Sequence, residues 1–547
     1  MMWQTHPDRI LMRRALVAAL LCALAIAPAA QVGAQGAPCG IVTAFDYPID
    51  ISDTLSNRYD DFALYRNRFG GIHVGIDIGF NRYGEPVYAA ARGQVTYSDP
   101  EGWDTEKGVV IMRHVFPDRS IAYTLYGHVE ETDTVRLPRV GECLEMGDPV
   151  GVIGSPSRGL PHLHYEIRDF LPDDGGPGYV PDNPLLRGWF HPLEFTLTWR
   201  LRLAGGYLGS VAFQRGASLP PIVLENGDVV IASGDGVEAY NGGRVLWRVT
   251  LPGVVNGLAA LSGGRAAVHA RGGHTAVLVS GRYAAVWTTE ALETPFVTLG
   301  DLLLFVMPDG SVTAYRADGT VAWRATGTAA PASARQVALH AHPNGREAAL
   351  ALRAADGRGF ITRIAADGSV IARLPLDTAP RPPLLTPHGA GWAALSGTTL
   401  YRIAEEITRL TTLSATPGAG ARLVSGAGGD LYLLSDDRDD ALLAIDADGS
   451  IRWRASYPWR GLPVTPLLAI DEGCALWTLD MDGALRAFSL TQGELIGERT
   501  LYAGGDRSGS PRGLLLRSGG GRLVAGAGFL SLYLLDARAI TSGACPS

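Results

Sequence analysis

Residues 312–324, VTAYRADGTVAWR, read as a short apolar strand, a polar Asp-Gly turn and a second strand ending in Trp-Arg. Asp-Gly turns mark hairpins, because a type I′ turn needs positive φ at both central residues. The unit recurs at 237–248 (VEAYNGGRVLWR), 361–373 (ITRIAADGSVIAR) and 442–454 (LLAIDADGSIRWR). Weaker copies stand at 274–287, 400–410, 485–497 and 532–540. Intervals of roughly 37 to 49 residues are those of propeller blades. Eight copies predict a β-propeller of seven or eight blades over 201–547. The count stays open because a strand from the start of this region and one from its end could share a blade.

Outward from these repeats, the chain is all-β in expectation. Its 547 residues are too many for a single core, so two or more domains are expected. The 69 Gly and 34 Pro imply many turns and short strands. Over 35–200 short β-type runs dominate: Pro86–Ala90, Gln94–Tyr97, Val109–Arg113, Ile121–Tyr126 and Val150–Ile153. No long amphipathic helical pattern is read there, and Trp189 to Trp199 is expected to close this first domain. An antiparallel sheet domain follows. The net charge of −8 and the lack of a Lys/Arg block give no reason to expect a nucleic-acid partner.

Residues 1–34 read as a secretory signal. Arg9, Arg13 and Arg14 precede the apolar run Ala15–Ala27, and small residues follow it, with cleavage after Ala30 or Ala34. The run is shorter than the ~20 residues a spanning helix needs, so an uncleaved anchor is the weaker reading. With no other long apolar span, the mature chain is expected without a membrane span, secreted or in the cell envelope. Pro38 before Cys39 argues against lipid attachment. Of the five Cys, Cys22 lies in the signal. The other four allow three pairings, and Cys39–Cys143 with Cys474–Cys545 keeps each bridge inside one domain. None stands in a Cys-x-x-Cys arrangement of metal-binding type.

Three segments of the first domain carry chemistry: Gly71–Gly79 with His73 and Asp77, Leu125–Val129 with Tyr126 and His128, and Pro161–Arg168 with His162 and His164. In the last, apolar Leu163, Tyr165 and Ile167 alternate with His162, His164 and Glu166. This period of two predicts a strand that projects both imidazoles from one face. Two imidazoles and a carboxylate, leaving one position open, are the usual donors of a catalytic zinc site. His73, Asp77 and His164 form such a set, and His128 and His162 remain for proton transfer. Glu166 could orient an imidazole or make a surface ion pair, while His114 and His191 read as structural.

The stretch from about Arg68 to Arg168 resembles the lysostaphin/LytM-type metallopeptidases. The resemblance rests on the His-x-x-x-Asp, Tyr-x-His and His-x-His segments in that order, on Gly84–Ala90 and Gly93–Val95, and on the glycine turns of Gly141–Gly147 and Val150–Gly154. It implies zinc ligands at His73, Asp77 and His164, catalytic histidines at His128 and His162, and hydrolysis of peptide bonds in peptidoglycan. Two departures bear on cleft shape and substrate preference: Val74 stands where Pro is frequent, and Pro172–Pro184 looks inserted. The alternative is a catalytically silent regulator or envelope-binding protein, since some members have lost ligands. The Trp-Arg hairpins resemble pyrroloquinoline-quinone-type propellers. No cluster of acidic quinone and cation ligands accompanies them, so dehydrogenase activity is not expected. The propeller is expected to bind a protein or glycan, or to position the peptidase.

Overall fold

A computed structural model describes residues 37–50, 61–171, 175–213, 216–241, 244–291, 296–326, 337–418, 420–435, 441–457, 466–471, 474–480, 483–501, 513–519, 521–526 and 531–544. The signal segment and Cys545, and with it the expected Cys474–Cys545 pairing, lie outside the described residues. Cys39 and Cys143 are disulfide-bonded. No helix among the described residues is long and apolar enough to cross a membrane.

The N-terminal region is built on a nine-stranded antiparallel sheet. Its backbone path runs β12 (Trp189–Phe190), β10 (Leu163–Arg168), β7 (Ile121–Glu130), β6 (Gly108–Val115), β5 (Gly93–Asp99) and β8 (Cys143–Leu144). Three further strands join it: β3 (Ile76–Ile78) pairs with β10, and β4 (Pro86–Tyr88) pairs with β9 (Pro149–Ile153), which also pairs with β7. A small sheet of β1 (Tyr65–Arg66), β2 (Gly71–His73) and β11 (Tyr179–Val180) lies apart in pairing. The expected strands at 86, 94, 109, 121 and 150 all form, with shifted ends. Register decides the rest. On β10, His164 stands opposite Asp77 of β3 on one side and opposite Gly127 of β7 on the other. On the small sheet, Tyr179 stands opposite His73.

Where no long amphipathic pattern is read, the chain forms one helix, α1, Pro192–Ala204. Its sequence, Leu-Glu-Phe-Thr-Leu-Thr-Trp-Arg-Leu-Arg-Leu, alternates apolar and polar like a strand. On a helix that alternation spreads apolar residues around the axis instead of along one stripe. Such a helix is stable where it is covered on more than one side. Here Leu193, Leu197, Trp199 and Leu201 are buried in one continuous core that also holds Val110 and Tyr165 of the sheet and Trp477, Tyr533 and Leu535 of the second region. Its Glu194 accepts hydrogen bonds from Ser531 and from Tyr533 Oη.

Among its described residues the second region forms eight four-stranded antiparallel sheets, in line with the upper of the two expected blade counts. Seven are consecutive in sequence. The eighth joins Tyr207–Ala212 to Ser531–Asp536, Arg522–Gly526 and Leu515–Gly519, so the first and last strands share a blade. The repeated hairpin supplies a blade's third and fourth strands, as in Val312–Tyr315 and Val321–Ala325 with Ala314 opposite Trp323. The repeated Trp and Gly also explain one another. A Cβ on Gly319 would lie 2.9 Å from the Trp287 ring, on Gly368 2.7 Å from Trp323, and on Gly493 2.6 Å from Trp453. Each Trp thus packs flat on the turn glycine of a later blade, where positive φ and the absence of a side chain are both needed. Trp323 and Trp453 each add an indole N–H bond of 2.9 Å to a backbone carbonyl.

Candidate metal centre and active-site cleft

The register of β10 brings the predicted residues together. His164 Nδ1 lies 3.0 Å from Asp77 Oδ1 and 3.0 Å from His73 Nε2, and His73 Nε2 lies 3.4 Å from Asp77 Oδ1. Zinc bonds of about 2.0–2.1 Å in a tetrahedron imply ligand–ligand edges of about 3.3–3.4 Å. The three donor atoms are therefore spaced for one such ion. Gly75 makes the approach feasible, since a Cβ there would lie 2.6 Å from the Tyr165 carbonyl oxygen and 2.8 Å from His164 Nε2.

Both imidazoles are braced from behind by carboxylates. His73 Nδ1 lies 3.0 Å from Asp61 Oδ2. His164 Nε2 lies 2.8 Å from Glu166 Oε1, and Glu166 Oε2 accepts from the Trp189 indole at 2.8 Å. Glu166 is fully buried and paired at 3.4 Å with the equally buried Arg168. It orients a ring, then, and makes no surface ion pair. Such carboxylate–imidazole pairs fix ring orientation and tautomer at metal sites.

The electrostatics favour a cation. Burial alone would lower the His73 pKa, but Asp77 and Asp61 outweigh it and raise it to about 10. Burial likewise works against a charged His164, and Asp77 and Glu166 push it up. Burial would raise Asp77, yet His73, His162 and His164 hold it well below the usual carboxylate range. The cluster thus demands positive charge, from protons or from a divalent ion, and its imidazole–carboxylate donors suit zinc. Among the described residues this is the one group of three or more such side chains spaced to hold a metal.

His128 and His162 stand beside it, ring centroids 4.6 Å apart. His162 Nε2 is 3.5 Å from Asp77 Oδ1. His128 Nδ1 is 2.6 Å from the Glu106 carbonyl oxygen, and His162 Nδ1 is 2.7 Å from that of Leu160. A carbonyl only accepts, so each ring carries a proton on Nδ1, and His162 turns its Nε2 toward the Asp77 carboxylate. His128 has a φ of 60°, a strained conformation of the kind that gathers at functional sites. Burial, then His162 and His164, lower its pKa to about 3.

Asp77, His128, His162 and His164 border a cleft of about 720 Å³, with His73 fully buried behind its wall. Its walls include three side chains that the sequence motifs did not flag. Trp103 meets the His128 and His164 rings edge-on, Tyr179 stacks on His73 at 5.0 Å, and Phe80 stacks on His162 at 5.0 Å. Asp61 was missed too. A Trp in the polar run Glu101–Lys107 was a usable signal, since large aromatics seldom lie in solvated loops without a packing partner. Tyr179 belongs to the stretch that looked inserted, which therefore forms one wall of the cleft. His114 is structural: it is buried, bonded to the Arg92 carbonyl and Thr124 Oγ1, and burial lowers its pKa to about 4. His191 packs on Phe62 at the start of α1.

Residues 71–176 match the family model of Peptidase family M23, and residues 197–383 match that of outer membrane protein assembly factor BamB. None of the curated proteins compared matches the chain. Similar solved structures include BamB from Moraxella catarrhalis, at 17% identity over 60% of this chain and 99% of that one, with a TM-score of 0.43. The computationally designed Ika8 protein gives 13%, 61%, 100% and 0.46. The C-terminal WD40 domain of Sif2 gives 12%, 60%, 98% and 0.41. The chain therefore joins a peptidase family M23 segment, which contains His73, Asp77, His128, His162 and His164, to a repeat domain of BamB type.

Proposed function

We propose that the chain is a zinc-dependent endopeptidase that hydrolyses peptide bonds of bacterial peptidoglycan. One observation carries the reading: three donor atoms from β2, β3 and β10 converge at 3.0–3.4 Å beside two further imidazoles. His73 Nε2, Asp77 Oδ1 and His164 Nδ1 would hold the ion. When bound, zinc supplies Lewis acidity, polarising a carbonyl and acidifying water.

The chain's own groups do the rest. Glu166 bonds the far nitrogen of the His164 ring, and Asp61 stands 3.0 Å from that of His73, so a carboxylate backs each liganding ring. His162 holds Nδ1 on the Leu160 carbonyl and turns Nε2 toward Asp77, and His128 commits Nδ1–H to the Glu106 carbonyl, so that its bare Nε2 can accept a proton from the attacking water. Once protonated, the same nitrogen donates to the developing oxyanion or to the departing amine. The retention of all five positions supports activity over the silent-regulator reading.

The propeller, in this reading, is a rigid mount. The core shared through α1 fixes it to the peptidase sheet, leaving its other faces for a protein or glycan of the envelope, where a signal-bearing chain would be delivered. Incubation of the full-length mature protein with purified peptidoglycan and with pentaglycine, read by mass spectrometry, tests the catalytic claim. Chelator-sensitive release of peptides is expected. Products that persist unchanged under chelation, or no cleavage of either substrate by protein carrying one zinc per chain, would defeat it.

A further inference from the structure

We propose, building on the peptidase reading, that the cleft selects peptides bearing free carboxylates beside the scissile bond over uncharged runs such as oligoglycine. Three arginines line it: Arg66, Arg68 and Arg158. Apart from the ligand Asp77, Glu106 is the one acidic residue among its described lining residues. The whole chain is acidic, at −8, so this local excess of positive charge runs against the overall sign.

The three guanidinium groups are not equally available. Arg66 is held at 2.5 Å by Asp61, which also braces His73. Arg158 is two-thirds exposed and only loosely paired, at 3.9 Å from Glu106. Arg68 is exposed and makes no ion pair among the described residues. It is nevertheless held in place, because its guanidinium lies 5.5 Å from the centroid of the Phe69 ring. Phe69 stacks on Tyr179 at 4.6 Å, and Tyr179 stacks on His73 at 5.0 Å. A column of three rings thus runs from this cation to the liganding histidine. Cations at the mouth of an aromatic-walled cleft focus field on an incoming anion. A carboxylate on a peptide strand laid along the cleft would meet Arg68 or Arg158, whereas an all-glycine strand offers neither cation a partner.

The test uses two synthetic peptides of one sequence, one with free carboxylates flanking the scissile bond and one with those carboxylates amidated. Binding is measured calorimetrically on the zinc-loaded, full-length His162→Ala chain, so that the peptide is not consumed, and turnover is measured on the wild type. The free acid should bind about five- to tenfold more tightly, as expected of charges at a partly screened cleft. The gap should narrow as salt is added. Arg68→Gln should remove most of it and Arg68→Glu should reverse it, with zinc content unchanged; Arg158→Gln should give a smaller loss. Equal or tighter binding of the amidated peptide overturns the proposal, as does a preference that survives Arg68→Glu together with Arg158→Gln. The two readings fail separately. Preferential binding of the acid without hydrolysis by wild type would leave this inference standing and remove the peptidase. Hydrolysis of both peptides with equal binding would do the reverse.

Discussion

Asp318 in a propeller turn and Asp77 in the peptidase sheet carry the same carboxylate in different settings. Asp318 Oδ1 accepts from the backbone N–H and hydroxyl of Thr320, two residues on. Asp309, Asp367 and Asp448 do the same with Ser311, Ser369 and Ser450. Asp77 instead reaches His164, 87 residues away, and His162 beside it. The propeller's turn acids shape their own hairpins and face solvent. Asp77 is largely enclosed, and its three imidazole partners come together only in the folded chain. What separates Asp77 from these turn acids is the kind of partner: three imidazoles gathered on one carboxylate, in place of the N–H and hydroxyl of its own turn.

The sharpest way to break this contrast is to remove a ligand. His73→Ala should empty the centre of zinc and lower peptidase turnover by about a thousandfold or more, since the nucleophile loses its activation; a variant that still carries one zinc by metal analysis would refute the ligand assignment. His162→Ala should keep its zinc and lose about 10²–10⁴ in kcat, the usual worth of a positioned acid–base group. Unchanged kcat would remove His162 from the chemistry. Glu166→Gln should weaken zinc affinity by about 10–100-fold in chelator competition, as loss of a carboxylate behind a liganding imidazole does. Affinity equal to wild type would mean that Glu166 serves only Arg168 and Trp189. At the other extreme, Asp318→Ala should leave zinc and turnover untouched and move Tm by about 1–2 °C at most, as surface turn substitutions do. A large loss of activity there would erase the distinction between the two kinds of acid.

The hairpins were legible because their signals are local: a turn dipeptide, alternation on either side, and a Trp at fixed distance. The first and second strands of each blade carry no such mark, and the last copy, at 532–540, is no hairpin at all. Ser531–Asp536 pairs with Tyr207–Ala212 from the other end of the repeat region, so the blade count could not be closed from spacing. Helix α1 misled for a physical reason: contact on two sides removes the one-sided stripe by which helices are recognised. At the site, the five motif residues were legible by order and type. Asp61 and Tyr179 were not, since each matters only through a register or a ring contact made across the fold.

The shared blade has a consequence for the order of assembly. Until Ser531–Asp536 has been synthesised, Tyr207–Ala212 has no strand partner and the ring stays open, with unpaired strand edges on either side of the gap. The same late strand and its flank bring Ser531 and Tyr533 to Glu194 of α1. A nascent chain can form its upstream sheet early, but that sheet gains its seat only when the far end arrives. Proteolytic loss of this one strand would therefore both unclasp the ring and loosen the peptidase from its support.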